Sequence, residues 1–360
     1  MSLKIAFRVD SSSLLGSGHV MRCLTLAHEL KKEHEIVFIC AAHRNNLNKE
    51  IERNGFSVYI IPSINISENN NDSFKKYEWK KDSFYTINTI RNLEFKVDIL
   101  ITDHYMLDSM WETELYSVVS RIVVVDDLAN RKHTCDLLID QNLSLDIENK
   151  YNGLVKEQTK LLLGQKYVLL RDEFLKNKKS ELKTVETVFI YFGASDLTNE
   201  TYKVLKAYEN GIYKFKLNVL LGYSNSRKQQ LQKRFSNLSN INWVLQDSSV
   251  RISKIMLESD ISIGAGGSTT WERCCIGLPS VVVTVAENQL KPMYELKREG
   301  VIYLLEFPSI EDYKDIFDEI TNSSLIFWQS IQRKGKKIFD GLGKQRIRKE
   351  IERMISNGED

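Results

Sequence analysis

Apolar residues in the first half of this 360-residue chain follow two alternating patterns. Short continuous apolar runs, typical of buried strands, occupy residues 5–9, 36–40, 58–61, 98–102, 122–125 and 137–139. Between them, apolar positions recur at helical spacing over residues 20–32, 47–54, 85–93 and 108–120. Strands that alternate with helices predict a parallel sheet covered on both faces. The polar run at residues 64–81 predicts a surface loop or insertion.

The same alternation begins again near residue 185. It predicts a helix at residues 201–209 and further strands at residues 188–192, 216–221, 241–244, 261–264 and 280–284. We therefore expect an α/β fold of two Rossmann-like domains, residues 1–165 and 184–322, joined by a connector at residues 166–183. Ligands of open α/β sheets bind at the carboxyl ends of the strands, so the two domains would face each other across a ligand-binding cleft. Residues 323–360 predict one basic C-terminal helix with a solvated face.

Composition and charge exclude several classes of protein. A net charge of +2 gives no strong field toward nucleic acid or an anionic membrane surface. No apolar run approaches the roughly 18 residues that a membrane-spanning helix needs. We expect no targeting segment, because residues 1–4 lead directly into the first predicted strand. The five cysteines are scattered, which favours neither a disulfide framework nor a zinc site. We expect a reduced, cytoplasmic, monomeric protein that binds neither nucleic acid nor membrane and carries no cofactor.

The turn between the first predicted strand and the first predicted helix carries candidate chemistry. It reads Gly16-Ser17-Gly18-His19, and Arg22 follows. A strand, a glycine-bearing turn and a helix start place backbone N–H groups and a positive dipole end where an anion binds. The turn lacks the third glycine of a dinucleotide fingerprint and the lysine of a P-loop. It is either a phosphate-binding turn with His19 as a reactive imidazole, or a glycine-rich connection in which His19 only caps or packs.

A second glycine-rich turn precedes a predicted helix in the other half of the chain. Its glycines allow close backbone approach, so a pyrophosphate could accept N–H hydrogen bonds from the helix start. Ser268 or Thr269 is suited to cap that helix. Glu272 lies one turn into the helix, where its carboxylate either holds vicinal ribose hydroxyls or serves as a capping-box acid. The binding candidates of this region are Gly266, Gly267, Ser268, Thr269, Glu272, Asn288 and Gln289.

Polar residues also follow other predicted strands, at the ends where a ligand would bind. Asp103 and Tyr105 follow the fourth strand, and we expect Tyr105 to contact the ligand, with packing as the alternative. Gly193, Ser195 and Asp196 follow the first strand of the second half. They are binding candidates, and capping of the next helix is the alternative for Asp196.

Other polar residues are assigned no reaction. Asp126 and Asp127 also follow a predicted strand, but no third ligand is spaced to complete a metal site, so we expect no metal. Three histidines have no partner in the sequence pattern and are expected at the surface: His28, His34 and His43.

Several segments resemble the UDP-sugar hydrolases of the pseudaminic acid pathway. They are residues 10–22, 103–105, 126–136, 163–171 and 264–289, and together they span about residues 4–305. These hydrolases are similar in architecture to two-domain glycosyltransferases of the GT-B fold, typified by the peptidoglycan GlcNAc transferase. The resemblance implies hydrolysis of UDP-2,4-diacetamido-2,4,6-trideoxy-β-L-altropyranose to the free sugar and UDP. That reaction leads to pseudaminic acid, a sugar of bacterial surface polysaccharides and flagellar glycans.

The resemblance also assigns the family's active-site histidine to His19. We expect its imidazole to deprotonate a water molecule at the anomeric carbon. Arg22 and the two helix starts would take up the negative charge of the leaving diphosphate. Helix dipoles would then make a metal ion unnecessary.

One position departs from the family pattern, because Ala194 stands where a second glycine is usual. If that position needs a positive φ, alanine costs about 1 kcal/mol. If it touches the ligand, the methyl group changes which sugar or nucleotide fits. Three alternatives therefore stay open: a GT-B glycosyltransferase that uses a UDP-sugar donor, a hydrolase of a related UDP-diamino sugar, and a non-catalytic nucleotide-sugar sensor.

Overall fold

The computed structural model describes residues 2–12, 15–64, 77–144, 146–247, 250–285 and 287–356, without the side chains of Asn288 and Ser356. The chain divides into two compact units. The N-terminal unit comprises Met1–Leu169 with Leu342–Asp360, and the C-terminal unit comprises Leu170–Gly341. Each unit contains its own sheet.

Both sheets are parallel throughout. Their strands are β1 Lys4–Val9, β2 Glu35–Ala41, β3 Ser57–Ile61, β4 Ile99–Asp103, β5 Arg121–Val125, β6 Leu137–Asp140, β7 Lys160–Leu163, β8 Thr187–Tyr191, β9 Lys216–Leu221, β10 Ile241–Leu245, β11 Ile261–Ala265, β12 Ser280–Thr284 and β13 Tyr303–Glu306. The N-terminal sheet has the order β3-β2-β1-β4-β5-β6-β7, and the C-terminal sheet has the order β10-β9-β8-β11-β12-β13. Helices join consecutive strands from β1 to β5 and from β8 to β13, whereas loops without a helix among the described residues join β5, β6 and β7.

The helices of the described residues are α1 Gly18–Leu30, α2 Asn48–Arg53, α3 Trp79–Arg91, α4 Ser109–Leu115, α5 Glu200–Glu209, α6 Lys228–Arg234, α7 Ile252–Leu257, α8 Thr269–Ile276, α9 Glu287–Glu299, α10 Ile310–Asn322, α11 Leu325–Ile338 and α12 Gly343–Ser356. A short 3₁₀ turn spans Asp172–Phe174. Within these ranges, no helix is long and apolar enough to cross a membrane.

The central strand β1 is buried on both faces, which is why an apolar run in the sequence identifies it. Ile5 and Phe7 face one apolar core, which α1 covers, and Ala6 faces the core on the opposite side. A strand buried on both faces needs apolar residues at nearly every position. The register pairs Val9 of β1 with Asp103 of β4, so the polar residues that follow the two strands emerge side by side.

The predicted strands are confirmed within one residue at each end. The pattern does not predict β7 or β13, which are four-residue strands at the sheet edges with only one buried residue each. Helix α3 begins at Trp79, inside the predicted loop at residues 64–81, while residues 65–76 of that loop lie outside the described residues.

The tail does not form the single helix that the sequence predicts. It forms α11 and α12, separated at Gly341, where φ is +87° and an added Cβ atom would lie 2.2 Å from a methyl carbon of Leu175. Glycine is favoured there because other residues disfavour that backbone conformation, and an added Cβ atom would also displace the side chain of Leu175. The last helix is also not merely solvated, because Ile347 and Ile351 are fully buried in the core beside α1.

We predict that Ile351→Ala lowers the free energy of unfolding of the N-terminal unit by about 2–5 kcal/mol, because it leaves a cavity in that core. Urea denaturation followed by circular dichroism measures the change. Lys349→Ala, on the exposed face of the same helix, is the matched control and should change stability by less than about 0.5 kcal/mol. Equal effects of the two substitutions would show that α12 does not dock as described.

Candidate active site

The first glycine-bearing turn is open at the point where α1 begins. An added Cβ atom would meet no heavy atom within 4 Å at Gly16 or Gly18. Ser17 occupies the N-cap position of α1 but makes no side-chain cap hydrogen bond. The first N–H groups of the helix therefore keep the capacity to donate to an anion. Anion binding at Gly16, Ser17 and Gly18 stays a prediction, and residues 13–14 lie outside the described residues.

His19 and Asp103 form a close pair beside this turn. His19 is the second residue of α1, and Asp103 is the last residue of β4. Nδ1 of the imidazole lies 2.6 Å from Oδ1 of the carboxylate. The ring of Tyr105 meets the imidazole edge-on, with 4.4 Å between ring centroids. The structure thus brings His19 together with two candidates that lie more than 80 residues later in the sequence.

Arg22 lies one helical turn after His19, so both side chains reach the same carboxylate. Its Nε and Nη2 donate to the two oxygens of Asp103 at 2.5 and 2.6 Å. Its Nη1 donates to Asp127 at 2.9 Å. The guanidinium of Arg22 therefore faces protein carboxylates, and its first effect is to hold Asp103 in place.

The charge state of Asp103 decides the tautomer of His19. Burial favours the neutral acid, but the guanidinium of Arg22 and the imidazole of His19 hold the pKa of Asp103 well below its ordinary value. An ionised carboxylate only accepts hydrogen bonds, so a hydrogen bond between the two groups requires the hydrogen atom on Nδ1 of His19. Nε2 then keeps its lone pair, which is what a general base requires.

A second buried network lies under the start of the turn. Arg8 donates to the two oxygens of Asp10 at 2.6 and 2.9 Å, and the backbone N–H of Ala41 donates to Asp10 at 2.7 Å. Nε2 of His43 lies 3.2 Å from the same carboxylate. The guanidinium of Arg8 also donates to Asp82 at 2.5 Å. Asp10 thus fixes the beginning of the turn.

This network corrects one expectation and adds residues that the sequence analysis missed. His34 and His43 are buried rather than at the surface, whereas His28 is exposed as predicted. Arg8 and Asp82 were not candidates. The available signal was Arg8 itself, because a charged residue inside a central apolar strand needs a buried partner.

The paired aspartates after β5 have separate protein partners. Asp126 accepts hydrogen bonds from Arg131 at 2.7 Å, from the N–H of Ala129 at 2.9 Å and from the hydroxyl of Tyr151 at 3.0 Å. Asp127 binds Arg22, as described above. The two carboxylates therefore serve different networks rather than one shared site.

In the C-terminal unit, the second glycine-rich turn lies between β11 and α8. An added Cβ atom at Gly267 would meet nothing within 4 Å, whereas at Gly266 it would lie 2.9 Å from Cγ of Met293. Ser268 occupies the N-cap position of α8, but its side chain makes no cap hydrogen bond, so the predicted cap is wrong. Thr269 is the first residue of the helix. The helix start is therefore open at Gly267 and tightly packed at Gly266.

The side chain of Arg273 stabilises this second turn through hydrogen bonds to residues on either side of it. Its buried guanidinium donates to the carbonyl oxygen of Ala265 at 2.9 Å and to the hydroxyl of Thr270 at 3.0 Å. Burial lowers the pKa of Arg273 to about 10. An added Cβ atom at Gly264 would lie 2.3 Å from the carbonyl oxygen of Tyr191 and 2.7 Å from Arg273, so only glycine fits there.

Glu272 is the candidate of α8 with the most distinctive surroundings. Nε and Nη2 of Arg171 lie 3.0 and 2.9 Å from Oε1 of Glu272. The other oxygen, Oε2, is buried and has no hydrogen-bond partner among the described residues. Burial raises the pKa of Glu272, and the nearby guanidinium of Arg171 opposes that rise. Glu272 is thus an ion-paired side chain with one oxygen left over, not a capping-box acid.

The turn after β8 settles two questions from the sequence. Gly193 has φ +86°, but Ala194 is not among the residues with positive φ, so alanine is not strained there. Asp196 accepts hydrogen bonds from the N–H groups of Glu200 at 2.8 Å and Thr201 at 3.1 Å. It therefore caps α5, which was its alternative role.

The remaining candidates are less informative. Ser195 is half-buried next to the cap, and Gln289 accepts a hydrogen bond from the N–H of Val285 at 3.1 Å. Gln289 thus holds its own loop. The side chain of Asn288 lies outside the described residues.

Comparison with known proteins identifies relatives across most of the chain, although no established protein-family model matches it. A UDP-2,4-diacetamido-2,4,6-trideoxy-beta-L-altropyranose hydrolase from Campylobacter jejuni is 28% identical over 300 residues, which cover 83% of this chain and 97% of that protein. The spore coat polysaccharide biosynthesis protein SpsG of Bacillus subtilis is 21% identical over 355 residues, 96% of each chain. An uncharacterized protein of Methanocaldococcus jannaschii is 28% identical over 301 residues, but this match spans only 57% of that longer protein.

Solved structures match the fold at low sequence identity. The spinosyn forosaminyltransferase SpnP has a TM-score of 0.68 and 11% identity, covering 99% of this chain and 100% of that chain. MurG of Acinetobacter baumannii has a TM-score of 0.66 and 13% identity, covering 98% of this chain and 99% of that chain. The structural likeness establishes the architecture, and the relatives show sequence similarity over most of the chain. This chain has a GT-B-type fold of two Rossmann-like α/β domains, and its sequence is similar to those of the Campylobacter jejuni hydrolase and SpsG.

Proposed function

We propose that this protein hydrolyses UDP-2,4-diacetamido-2,4,6-trideoxy-β-L-altropyranose to the free sugar and UDP, in pseudaminic acid biosynthesis. The observation that carries the proposal is the His19–Asp103 pair, whose Nδ1 and Oδ1 atoms are 2.6 Å apart beside the open first turn. The Campylobacter jejuni relative is named for this reaction and matches 83% of this chain, which supports the same substrate class.

The proposed reaction joins a water oxygen to the anomeric carbon and breaks the bond from that carbon to the diphosphate. Nε2 of His19 accepts the water proton during attack, and the electron pair of the broken bond leaves with UDP. Asp103 holds the imidazole in the required tautomer and stabilises the imidazolium that forms. We assign Arg22 to positioning Asp103, instead of the diphosphate contact that the sequence suggested.

Backbone groups would balance the charge of the leaving diphosphate. Each unit offers its own candidate, the open start of α1 at Gly16, Ser17 and Gly18 in the N-terminal unit, or the turn before α8 at Gly267 in the C-terminal unit. N–H groups at a helix start are oriented toward an anion before it binds, so they stabilise developing charge without a metal ion. Glu272 would accept hydrogen bonds from the ribose of the nucleotide.

A second candidate function is transfer of the sugar to an acceptor other than water. The likeness to the spinosyn forosaminyltransferase favours it, because one fold can support both reactions. The two functions differ in what they need for turnover, since only hydrolysis releases UDP from the donor alone.

The deciding experiment incubates the protein with UDP-linked 2,4-diacetamido-2,4,6-trideoxyhexoses of different configuration, without acceptor and with or without EDTA. NMR spectroscopy follows the sugar and UDP. We expect equal amounts of free sugar and UDP from the altrose-configured substrate, at the same rate with the chelator. UDP release only after an acceptor is added would establish the transferase. Loss of turnover with EDTA, restored by Mg²⁺, would contradict metal independence, and another preferred configuration would point to Ala194 and its neighbours.

We predict that His19→Asn retains UDP binding but loses about 10²–10⁴-fold in turnover, because the general base is removed while the turn is unchanged. Calorimetry measures UDP binding, and UDP release measures turnover. His28→Asn is the matched control, because His28 lies on the exposed face of the same helix. Near-wild-type turnover of the His19 variant would remove this residue from the mechanism.

We predict that Asp103→Asn lowers the free energy of unfolding by about 3–5 kcal/mol at neutral pH, because it removes one member of a buried ion pair. The pKa of Asp103 is held below its ordinary value, so the carboxylate stays charged in the folded protein as pH falls toward that value. Its stabilising contribution is therefore complete above the unfolded pKa of about 3.9 and is lost below it. Urea denaturation of both proteins from pH 8 to pH 3 should show a constant difference down to pH 5, then a decrease. A difference that vanishes by pH 6 would rule out the ionised pair.

A further inference from the structure

We infer that Arg171 is a positioning residue for Glu272, holding one carboxylate oxygen so that the other accepts a hydrogen bond from a ribose hydroxyl of a bound nucleotide. The inference rests on the proposed function, because it concerns how the same protein recognises UDP. Its consequence is selectivity for a ribonucleotide over a deoxyribonucleotide. Arg171 itself was not a site candidate in the sequence.

Arg171 is fixed on several sides. Nε and Nη2 both approach Oε1 of Glu272, at 3.0 and 2.9 Å, and Nη1 lies 2.7 Å from Oε1 of Glu173. Glu173 is held in turn by the hydroxyl of Ser253 at 2.6 Å. The guanidinium also lies over the ring of Phe174, 4.7 Å from its centroid. These contacts fix the position of the Arg171 guanidinium. Because Glu272 is ion-paired with that guanidinium, its carboxylate is held in place as well.

The two carboxylate oxygens of Glu272 differ in their hydrogen-bond partners. Both guanidinium contacts go to Oε1, while Oε2 is buried without a hydrogen-bond partner among the described residues. The residue is 7% exposed, so bulk water does little to solvate that oxygen. A buried polar atom without a partner costs about 1–3 kcal/mol, more for a charged group. Oε2 therefore retains a strong capacity to accept a hydrogen bond from a ligand.

The surroundings favour a hydroxyl group as the donor. A carboxylate repels phosphate, so Oε2 does not bind the diphosphate itself. Glu272 lies three residues into α8 from Thr269, about 4.5 Å along the helix axis. The proposed diphosphate contacts lie at the start of that helix, and the ribose is the group covalently attached to the diphosphate in UDP. A ribose hydroxyl is thus the donor nearest to Oε2 when the diphosphate binds as proposed.

The test measures the affinity of the full-length protein for UDP, 2′-deoxy-UDP and 3′-deoxy-UDP by calorimetry. We expect the wild-type protein to bind UDP about 10–100-fold more tightly than at least one deoxy analogue, since that analogue leaves Oε2 unpaired. Arg171→Gln should lower the affinity for UDP and reduce this preference to about threefold or less. Arg171→Lys should retain only part of the preference. The lysine keeps the positive charge beside Glu272, but its ammonium group cannot reproduce the two guanidinium contacts.

Two comparisons separate positioning from a general structural role. Arg234→Gln is the matched control, because Arg234 forms an exposed ion pair with Glu209 in the same unit, and it should leave the preference unchanged. Glu272→Gln combined with Arg171→Gln should reduce the preference no further than either substitution alone. A general loss of structure would weaken UDP and the deoxy analogues equally.

The outcomes distinguish this inference from the proposed function. If the wild-type protein does not bind UDP, the proposed function fails. If it binds UDP and Arg171→Gln keeps the full preference over the deoxy analogues, the inference about Arg171 is overturned and the proposed function stands. If Arg171→Gln does not fold by circular dichroism, Arg171→Lys carries the test, and a full preference in that variant overturns the inference.

Discussion

The carboxylate of Asp103 is buried, and a buried charge is stable only when oppositely charged or hydrogen-bonding groups surround it. Arg22 supplies two hydrogen bonds and His19 supplies a third contact, all from one face of α1. This requirement fixes the rotation of α1 against the sheet and the direction in which the imidazole points. The first turn, the tautomer of His19 and the place of Tyr105 all depend on it.

The same principle repeats along the carboxyl edge of the N-terminal sheet. Asp10 follows β1 and pairs with Arg8, and Asp126 follows β5 and pairs with Arg131. Asp140 ends β6 and pairs with Lys150 at 2.5 Å. Each of these buried carboxylates has a cationic partner, so removing one partner leaves an uncompensated charge rather than a small gap. Such networks hold side chains in one geometry, which a catalytic base needs.

The two glycine-rich turns share a sequence pattern but differ in structure. The first is open and adjoins an imidazole, which suits chemistry at a reacting atom. The second is held from below by Arg273, is packed tightly at Gly266 and adjoins the half-paired Glu272. These features suit recognition of a nucleotide more than reaction with it. The difference comes from neighbouring elements, since glycine and serine dominate both turns.

The amino-acid sequence by itself determined the two parallel-sheet units and the two helix starts. Strands such as β1 are buried on both faces, so their apolar runs identify them without tertiary information. The spacing of His19 and Arg22 already placed both on one helix face. It did not show that Asp103, 84 residues after His19, would lie between them. The partners of Glu272 and Asp196 were equally hidden, because a carboxylate at a helix start is compatible with a cap, an ion pair or a ligand. The tertiary structure decided among these roles. The register of β1 with β4 brought Asp103 to His19, the ion pair with Arg171 decided the role of Glu272, and the path of the chain after β8 decided that of Asp196. Such contacts join residues that are far apart in the sequence, so no local sequence pattern predicts them.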